Sequence, residues 1–310
     1  TAREILFLWV ARMVMTGIEF AGDIPFNDVY VHSVIQARDG RRMSKSLGTG
    51  IDPLGEIDEH GADALRFGLL AMSSTQDVRY SDPKVQQGRD LSNKLWNASR
   101  LILLNTEAPD DRSLPADPAA LEDRWILSRL ETTIESVTAL LEIYDFAHAA
   151  QEIYAFVFSD LCDWYLEIAK PRIYEGEAEV ARVLLRTLER TLALVHPVMP
   201  FVTEEIWNYH PYREGHLVVH PFPQADRARF DEQTEVEVAS AIALTRQLRG
   251  WRDLAGVPPK IVLEASGDGS LIPEFVSRLG RVRLGAEGNE PVATVAGFGI
   301  LPSEGLDMDE

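Results

Sequence analysis

The sequence predicts an α/β segment, then a mostly α-helical chain, closed by a small α/β appendage. Three observations carry this expectation. A single apolar strand pattern, residues 28–36, lies between helical patterns near the start. From residue 83 to about residue 209 the apolar spacing is helical almost throughout. Beyond residue 260, residues 261–265 and 291–296 read as strands around a helical stretch at 272–279. The divisions expected are therefore 1–80, 81–220 and 221–310.

Residues 4–19 read as a helix, with Ile5, Leu6, Trp9, Val10, Met13 and Val14 at helical spacing. Thr1-Ala2-Arg3-Glu4 matches a capping box, so Glu4 has a structural reading as a cap, and Trp9 has one as a core residue. After the strand, Asp39-Gly40 is a turn signal. Asp52-Pro53 has the form of a cap and first helical position, and two helices, 53–59 and 63–72, are expected on either side of Gly61. Residues 73–82 are polar and read as a connector.

In the helical region, Phe146, Ile153, Val157, Leu161, Trp164 and Ile168 fall near one face. The aromatic residues Phe156, Phe158, Trp164 and Tyr165 read as core. Residues 109–118 form a breaker-rich loop, and Pro171 is expected to end the helix that carries Trp164. A corner at 196–200 leads into a last bundle helix, and helices joined by short loops suggest a bundle. Residues 231–254 read as a further helix.

The chain has 310 residues, 45% hydrophobic and 25% charged, the composition of an ordinary globular protein. No apolar run approaches the length of a membrane span, and no secretory signal is visible. The one cysteine, Cys162, excludes an internal disulfide and a common four-ligand zinc site, and fits a reducing compartment. Net charge is −19, the wrong sign for a generic nucleic-acid binder, so any RNA contact must be local. The chain opens on Thr1 inside an apolar pattern and closes on an acidic helical start, which reads as a fragment cut at both ends.

One stretch concentrates chemistry: Arg41-Arg42-Met43-Ser44-Lys45-Ser46-Leu47-Gly48-Thr49-Gly50. Its cations alternate with hydroxyls, and its glycines let a loop fold over a ligand. Such a loop can neutralise charge that builds on a departing polyphosphate. A short basic run is also common as a solvated turn, and for the run alone the two readings stand level.

This stretch resembles the KMSKS signature loop of class I aminoacyl-tRNA synthetases, with Arg42 in place of the first lysine. The Leu-Gly and Ile-Asp-Pro that follow are similar to the large synthetases for valine, isoleucine and leucine. Glu4-Ile-Leu-Phe-Leu-Trp-Val-Ala-Arg-Met resembles a segment of the valyl-tRNA synthetases, with Ala2 where glycine is usual and Glu4 one methylene longer than the usual Asp. Asn93 to Arg100, Asp123 to Leu130, Tyr144-Asp145-Phe146, Cys162 to Tyr165 and His196 to Trp207 look like the anticodon-binding bundle of that family.

The resemblance implies the second half of a Rossmann-type catalytic domain, an anticodon-binding bundle and an appendage. It implies ATP-dependent activation of valine and transfer to tRNA(Val), with Mg²⁺ accompanying ATP and no protein-held metal. Lys45 and Arg42 would be catalytic, and Arg42, Met43, Ser44, Lys45 and Ser46 would bind ATP. Trp9 and Glu4 would line the aminoacyl-adenylate pocket. Asn93, Lys94, Asn97 and Arg100 would meet tRNA, against a solvated helix face as the alternative. A cytoplasmic protein, monomeric when intact, is expected.

None of the seven histidines lies in the His-x-Gly-His motif of the first catalytic half, and the chain has no room for an editing domain. The sequence alone also admits an isoleucyl-type fragment, a tRNA-binding module without chemistry, or half of a split synthetase.

Overall fold

The computed structural model describes residues 1–44, 46–72, 76–115, 118–258, 260–267, 272–286 and 290–302.

The first helical stretch is less regular than its periodicity predicts. It opens as a 3-10 turn, Arg3–Ile5, passes through a π-helical turn, Leu6–Val10, and becomes α-helical at α1, Ala11–Ala21. The expected capping box does not form. Ala2 makes no side-chain cap, the Thr1 hydroxyl is buried without a partner, and Glu4 is engaged elsewhere. α1 ends at Gly22 with φ +76° and buries none of its residues.

The expected strand 28–36 shrinks to β1, Ile35–Gln36, which pairs in parallel with β2, Val78–Arg79. An isolated parallel bridge joins Ala2 to His32. An apolar extended run counts as a strand only where a neighbour supplies hydrogen bonds. Among the described residues only short lengths of this run have one.

Two helices follow. α2, Pro53–His60, is capped by Asp52, whose Oδ1 accepts from the Leu54 N–H at 3.1 Å. Gly61, at φ +92°, turns the chain into α3, Ala62–Ala71. α3 packs on α4, Asp82–Asn105, through reciprocal glycines. A Cβ on Gly88 would stand 2.7 Å from the Ala64 carbonyl oxygen, and one on Gly68 would stand 2.8 Å from a Val85 methyl.

The bundle continues with α5, Leu121–Glu142, and α6, Phe146–Ala155. A π-helical stretch, Phe156–Tyr165, then runs into α7, Leu166–Glu175. After it come α8, Ala178–Val195, and α9, Pro200–Trp207. Phe156, Trp164 and Tyr165 are core, as their spacing suggests, while Phe158 is half-buried and stacks on Tyr154 at 4.9 Å.

Pro171 does not end its helix. It lies inside α7, which stops at Gly176 with φ +73°. A proline has no N–H for the carbonyl four residues back, here that of Glu167. Arg278 replaces the missing donor, its guanidinium donating to the Glu167 oxygen at 3.1 Å and the Ile168 oxygen at 2.6 Å.

α10, Glu232–Leu254, packs both on α5 of the bundle and on the last unit. There β3, Leu263–Ser266, α11, Glu274–Gly280, β4, Val282–Leu284, β5, Ala293–Val295, and β6, Phe298–Ile300, form a four-stranded sheet of order β4-β3-β6-β5. β3 and β4 are parallel and the other pairs antiparallel. β4 and β6 escape the sequence reading, which saw strands only at 261–265 and 291–296. One hydrophobic core runs from Phe67 through the bundle to Ile300, and a smaller one gathers Ala64, Leu65, Met72, Tyr80 and Val85. Among the described residues no helix is long and apolar enough to cross a membrane.

Candidate functional site

The candidate loop leaves β1 through a tight turn. The Gly40 N–H donates to the Ala37 oxygen at 2.8 Å with Gly40 at φ +84°, and Asp39 accepts from the Arg41 N–H at 3.0 Å and from its Nε at 2.7 Å. The same contacts hold the Asp39 carboxyl below its usual range. Arg41 therefore has a local partner at the foot of the loop.

Beyond it the backbone is stapled by Thr49, a buried residue that the sequence reading passed over. Its hydroxyl donates to the Arg42 oxygen at 3.0 Å and accepts from the Ser44 N–H at 2.9 Å. Its own N–H donates to the Ser44 oxygen at 3.2 Å. The Ser44 and Ser46 hydroxyls lie 2.9 Å apart, and Gly48 takes φ +64° between Leu47 and Thr49. The sequence signal was slight: one hydroxyl between two glycines.

Arg42 reaches out of the loop to Glu4, Nη2 to Oε2 at 3.1 Å. The structure thus brings together two residues thirty-eight positions apart that the sequence assigned to one site. Arg42 remains 77% exposed and Glu4 39% exposed. Trp9, in the π-helical turn, is 60% exposed rather than buried in a core. It stands among other uncovered apolar residues, Phe7, Leu8 and Met13. Met43 is half-buried and packs against the smaller core. Lys45 lies outside the described residues.

The loop is tied to the bundle by a second arginine that the sequence reading missed. Arg38 grips Asp82 at the start of α4, with Nε 2.8 Å from Oδ2, and donates to Glu56 of α2 at 3.0 Å. It also lies 5.1 Å from the centroid of the Tyr80 ring, whose hydroxyl donates to Glu56 at 2.8 Å. The hydrogen bond to Asp82 raises the Arg38 pKa and lowers that of Asp82. Burial and the Glu56 carboxylate push the Tyr80 phenol up.

On α4, Asn93, Asn97 and Arg100 are exposed at the spacing of one helix face. Lys94 departs from that face. Its ammonium pairs with Asp163 and lies 3.3 Å from the centroid of Phe158. Arg100 borders a groove of about 310 Å³ lined also by Trp96, Leu103, Leu104, Ile206 and Tyr209. Trp96 and Tyr209 meet edge to face there, with centroids 6.4 Å apart.

With this geometry in view, comparison with known proteins is specific. The family model "tRNA synthetases class I (I, L, M and V)" matches residues 1–81, which hold the loop. The model "Anticodon-binding domain of tRNA ligase" matches residues 123–265. Valine–tRNA ligase of Carboxydothermus hydrogenoformans is 41% identical over 84% of the chain, and that of Geobacillus stearothermophilus is 42% identical over 84%. The chain belongs with the valine-type class I aminoacyl-tRNA synthetases. Valine–tRNA ligase of Bacillus licheniformis is 40% identical over 90% of the chain. The chain spans about 30% of the length of these relatives, 30% of the first two and 32% of the third. The fold is also similar to a LeuRS from Agrobacterium radiobacter, solved as a ternary complex with tRNA and LeuAMS. The TM-score is 0.58 and the identity 24%, covering 71% of this chain and 27% of that one.

Proposed function

We propose that this chain is the C-terminal portion of a valine–tRNA ligase that activates valine with ATP and transfers it to the 3′ end of tRNA(Val). In this reading residues 1–80 are the second half of a Rossmann-type catalytic domain. Residues 81–220 are the anticodon-binding bundle, and residues 221–310 are a helix with a small α/β appendage. The observation that carries the reading is the Arg42–Glu4 contact, in which the signature loop meets the segment expected to line the adenylate pocket. A non-catalytic RNA-binding module gives no reason for a phosphate-handling loop to be anchored to that segment.

The valine carboxylate attacks the α-phosphorus of ATP, and the bond to the pyrophosphate oxygen breaks. Charge then grows on pyrophosphate, where Lys45 stabilises it with help from Arg42. Ser44 and Ser46 donate hydrogen bonds to the phosphates or fix the loop, and the backbone at Met43 follows it. Trp9 and Glu4 border the adenylate. A ribose hydroxyl of the terminal adenosine then attacks the valyl carbonyl, and AMP leaves. Among the described residues no group of three or more His, Cys, Asp or Glu side chains could hold a metal. Mg²⁺ enters with the phosphates of ATP, as substrate.

The partners follow from the two ends of the reaction: valine, ATP and tRNA(Val). On the bundle, Asn93, Asn97 and Arg100 face RNA, and the Trp96–Tyr209 groove offers rings on which unstacked bases can lie. Lys94 contributes at the margin, through the charge left after its pairing with Asp163. The reading includes a cytoplasmic, monomeric enzyme, and the lone cysteine fits a reducing compartment.

The test is Lys45→Ala in the full-length protein. The rate of adenylate formation in single-turnover kinetics should fall on the order of 10²–10³-fold while ground-state binding of valine changes little. An unchanged chemical step would remove the loop from the mechanism.

A further inference from the structure

In a chain of net charge −19, a place where arginines converge needs a reason. Arg112, in the loop after α4, and Arg182 and Arg186, on α8, line one small cavity of about 100 Å³ with Glu189 and Tyr212. A cavity of this size has room for an oxyanion.

The three cations are not equally committed. Arg186 donates to Glu189 at 2.8 Å. Arg112 lies 4.4 Å from the centroid of the Tyr212 ring and 3.6 Å from Glu214. Arg182 has no hydrogen-bond or ion-pair partner among the described residues, and its Nε is buried without an acceptor. Its charge is felt only at a distance, lowering the pKa of Asp111 behind the hydrogen bonds from Ser113. Buried donors almost always have an acceptor, and a planar guanidinium is shaped for two oxygens of one phosphate.

A further depression shares Leu104 with the groove on α4 and reaches Pro109 and Ala181, the chain neighbour of Arg182. Tyr209, in the groove, is three residues from Tyr212, whose hydroxyl donates to the Pro109 oxygen at 2.8 Å. Arg112 follows Pro109 in the same loop. Aromatic rings and a pocket of cations therefore follow one another along one edge of the bundle, the arrangement a single strand of nucleic acid requires.

We propose that the Arg112–Arg182–Arg186 cavity binds a backbone phosphate of the RNA whose bases lie along the Trp96–Tyr209 groove. The proposal rests on the reading that the bundle docks RNA. Arg182 supplies the central contact, Arg112 and Arg186 close on the phosphate from either side, and Glu189 holds Arg186 in place.

The experiment is a filter-binding titration of tRNA at several salt concentrations, using the full-length protein and its Arg182→Gln and Arg182→Lys variants. Arg182→Gln should weaken binding on the order of 10-fold and make the salt slope shallower by roughly 0.7, the value of one single-strand phosphate contact. Arg182→Lys should keep the slope and lose part of the affinity, since the charge stays and the fork is lost. Unfolding midpoints equal to wild type separate this from a packing defect. Wild-type affinity and slope in Arg182→Gln overturn the site while leaving RNA docking intact. A wild-type protein that binds no tRNA overturns both. Stabilisation by inorganic phosphate that Arg182→Gln abolishes, with tRNA binding unaffected, overturns the RNA assignment in favour of a free anion. Capture of an acidic peptide in place of RNA likewise overturns it.

Discussion

A single hydroxyl organises the backbone of the signature loop. Thr49 is the hydrogen-bond partner of both Arg42 and Ser44, so Thr49→Val leaves the half-buried Ser44 N–H and the Arg42 carbonyl without it. Such a loss costs about 1–3 kcal/mol where the groups cannot reach water. Met43, Ser44 and Ser46 should then exchange their amide hydrogens faster in the variant, with protection elsewhere unchanged. Equal exchange would show that the loop is held by other contacts. The Arg42–Glu4 pair is a weaker device because Arg42 is mostly solvated, and exposed pairs contribute about 0.2–1 kcal/mol. Glu4→Gln is therefore expected to quicken tryptic cleavage after Arg42 only a few-fold in the absence of ATP. A change of a hundredfold, or none, would contradict a solvent-screened latch. Residue types and order made this loop legible in the sequence. The tie to Glu4 was not legible, because local pattern offered Glu4 a cap it does not make, and a contact thirty-eight residues away leaves no periodic trace.

Between elements, α3 fits closely on α4. The glycines that permit it sit where a methyl group would strike backbone. Gly88→Ala, with its new Cβ 2.7 Å from the Ala64 oxygen, should destabilise by about 1–3 kcal/mol as the helices move apart. Thermal unfolding should show a clearly lower midpoint, and Gly55→Ala, with nothing within 4 Å, provides the control at a helical glycine. If both variants melt alike, the close approach carries no weight. Helices α2, α3 and α10 were readable to within a few residues, α2 from Asp52-Pro53 at its start, whereas the bundle was readable only as one helical region from 83 to about 209. What the spacing could not show was the π-helical stretch Phe156–Tyr165. Its buried residues Phe156, Val157, Leu161, Trp164 and Tyr165 fit an ordinary helical face equally well. Lys94 likewise has partners that the spacing does not show. A period assigns a residue to a face, but a long side chain on the border between faces goes to whichever partner lies nearby, and here that partner is Asp163.

Taken whole, the molecule keeps a neutral histidine at the heart of the bundle. His210 donates from Nε2 to the Leu185 oxygen at 3.2 Å and accepts the Tyr212 N–H at Nδ1 at 3.3 Å. Burial lowers its pKa from 6.5. The unfolded chain takes up a proton near pH 6.5 that the folded chain refuses. Its contribution is thus complete above that pH and shrinks as pH falls below it. His196, also lowered by burial, acts in the same direction. The unfolding midpoint should drop between about pH 7 and pH 5.5, before most carboxylates titrate, and the drop should be smaller in His210→Asn. A variant as pH-sensitive as wild type would exonerate this residue. A last consequence concerns time. The Glu167 carbonyl, left open by Pro171, receives its donor from Arg278, 111 residues later in the chain. At a synthesis rate of roughly 5–20 residues per second, α7 is made about 6–22 s before the group that completes it leaves the ribosome. During that interval the first turn of α7 keeps the Glu167 carbonyl open to water, within reach of a chaperone or protease that meets the nascent chain.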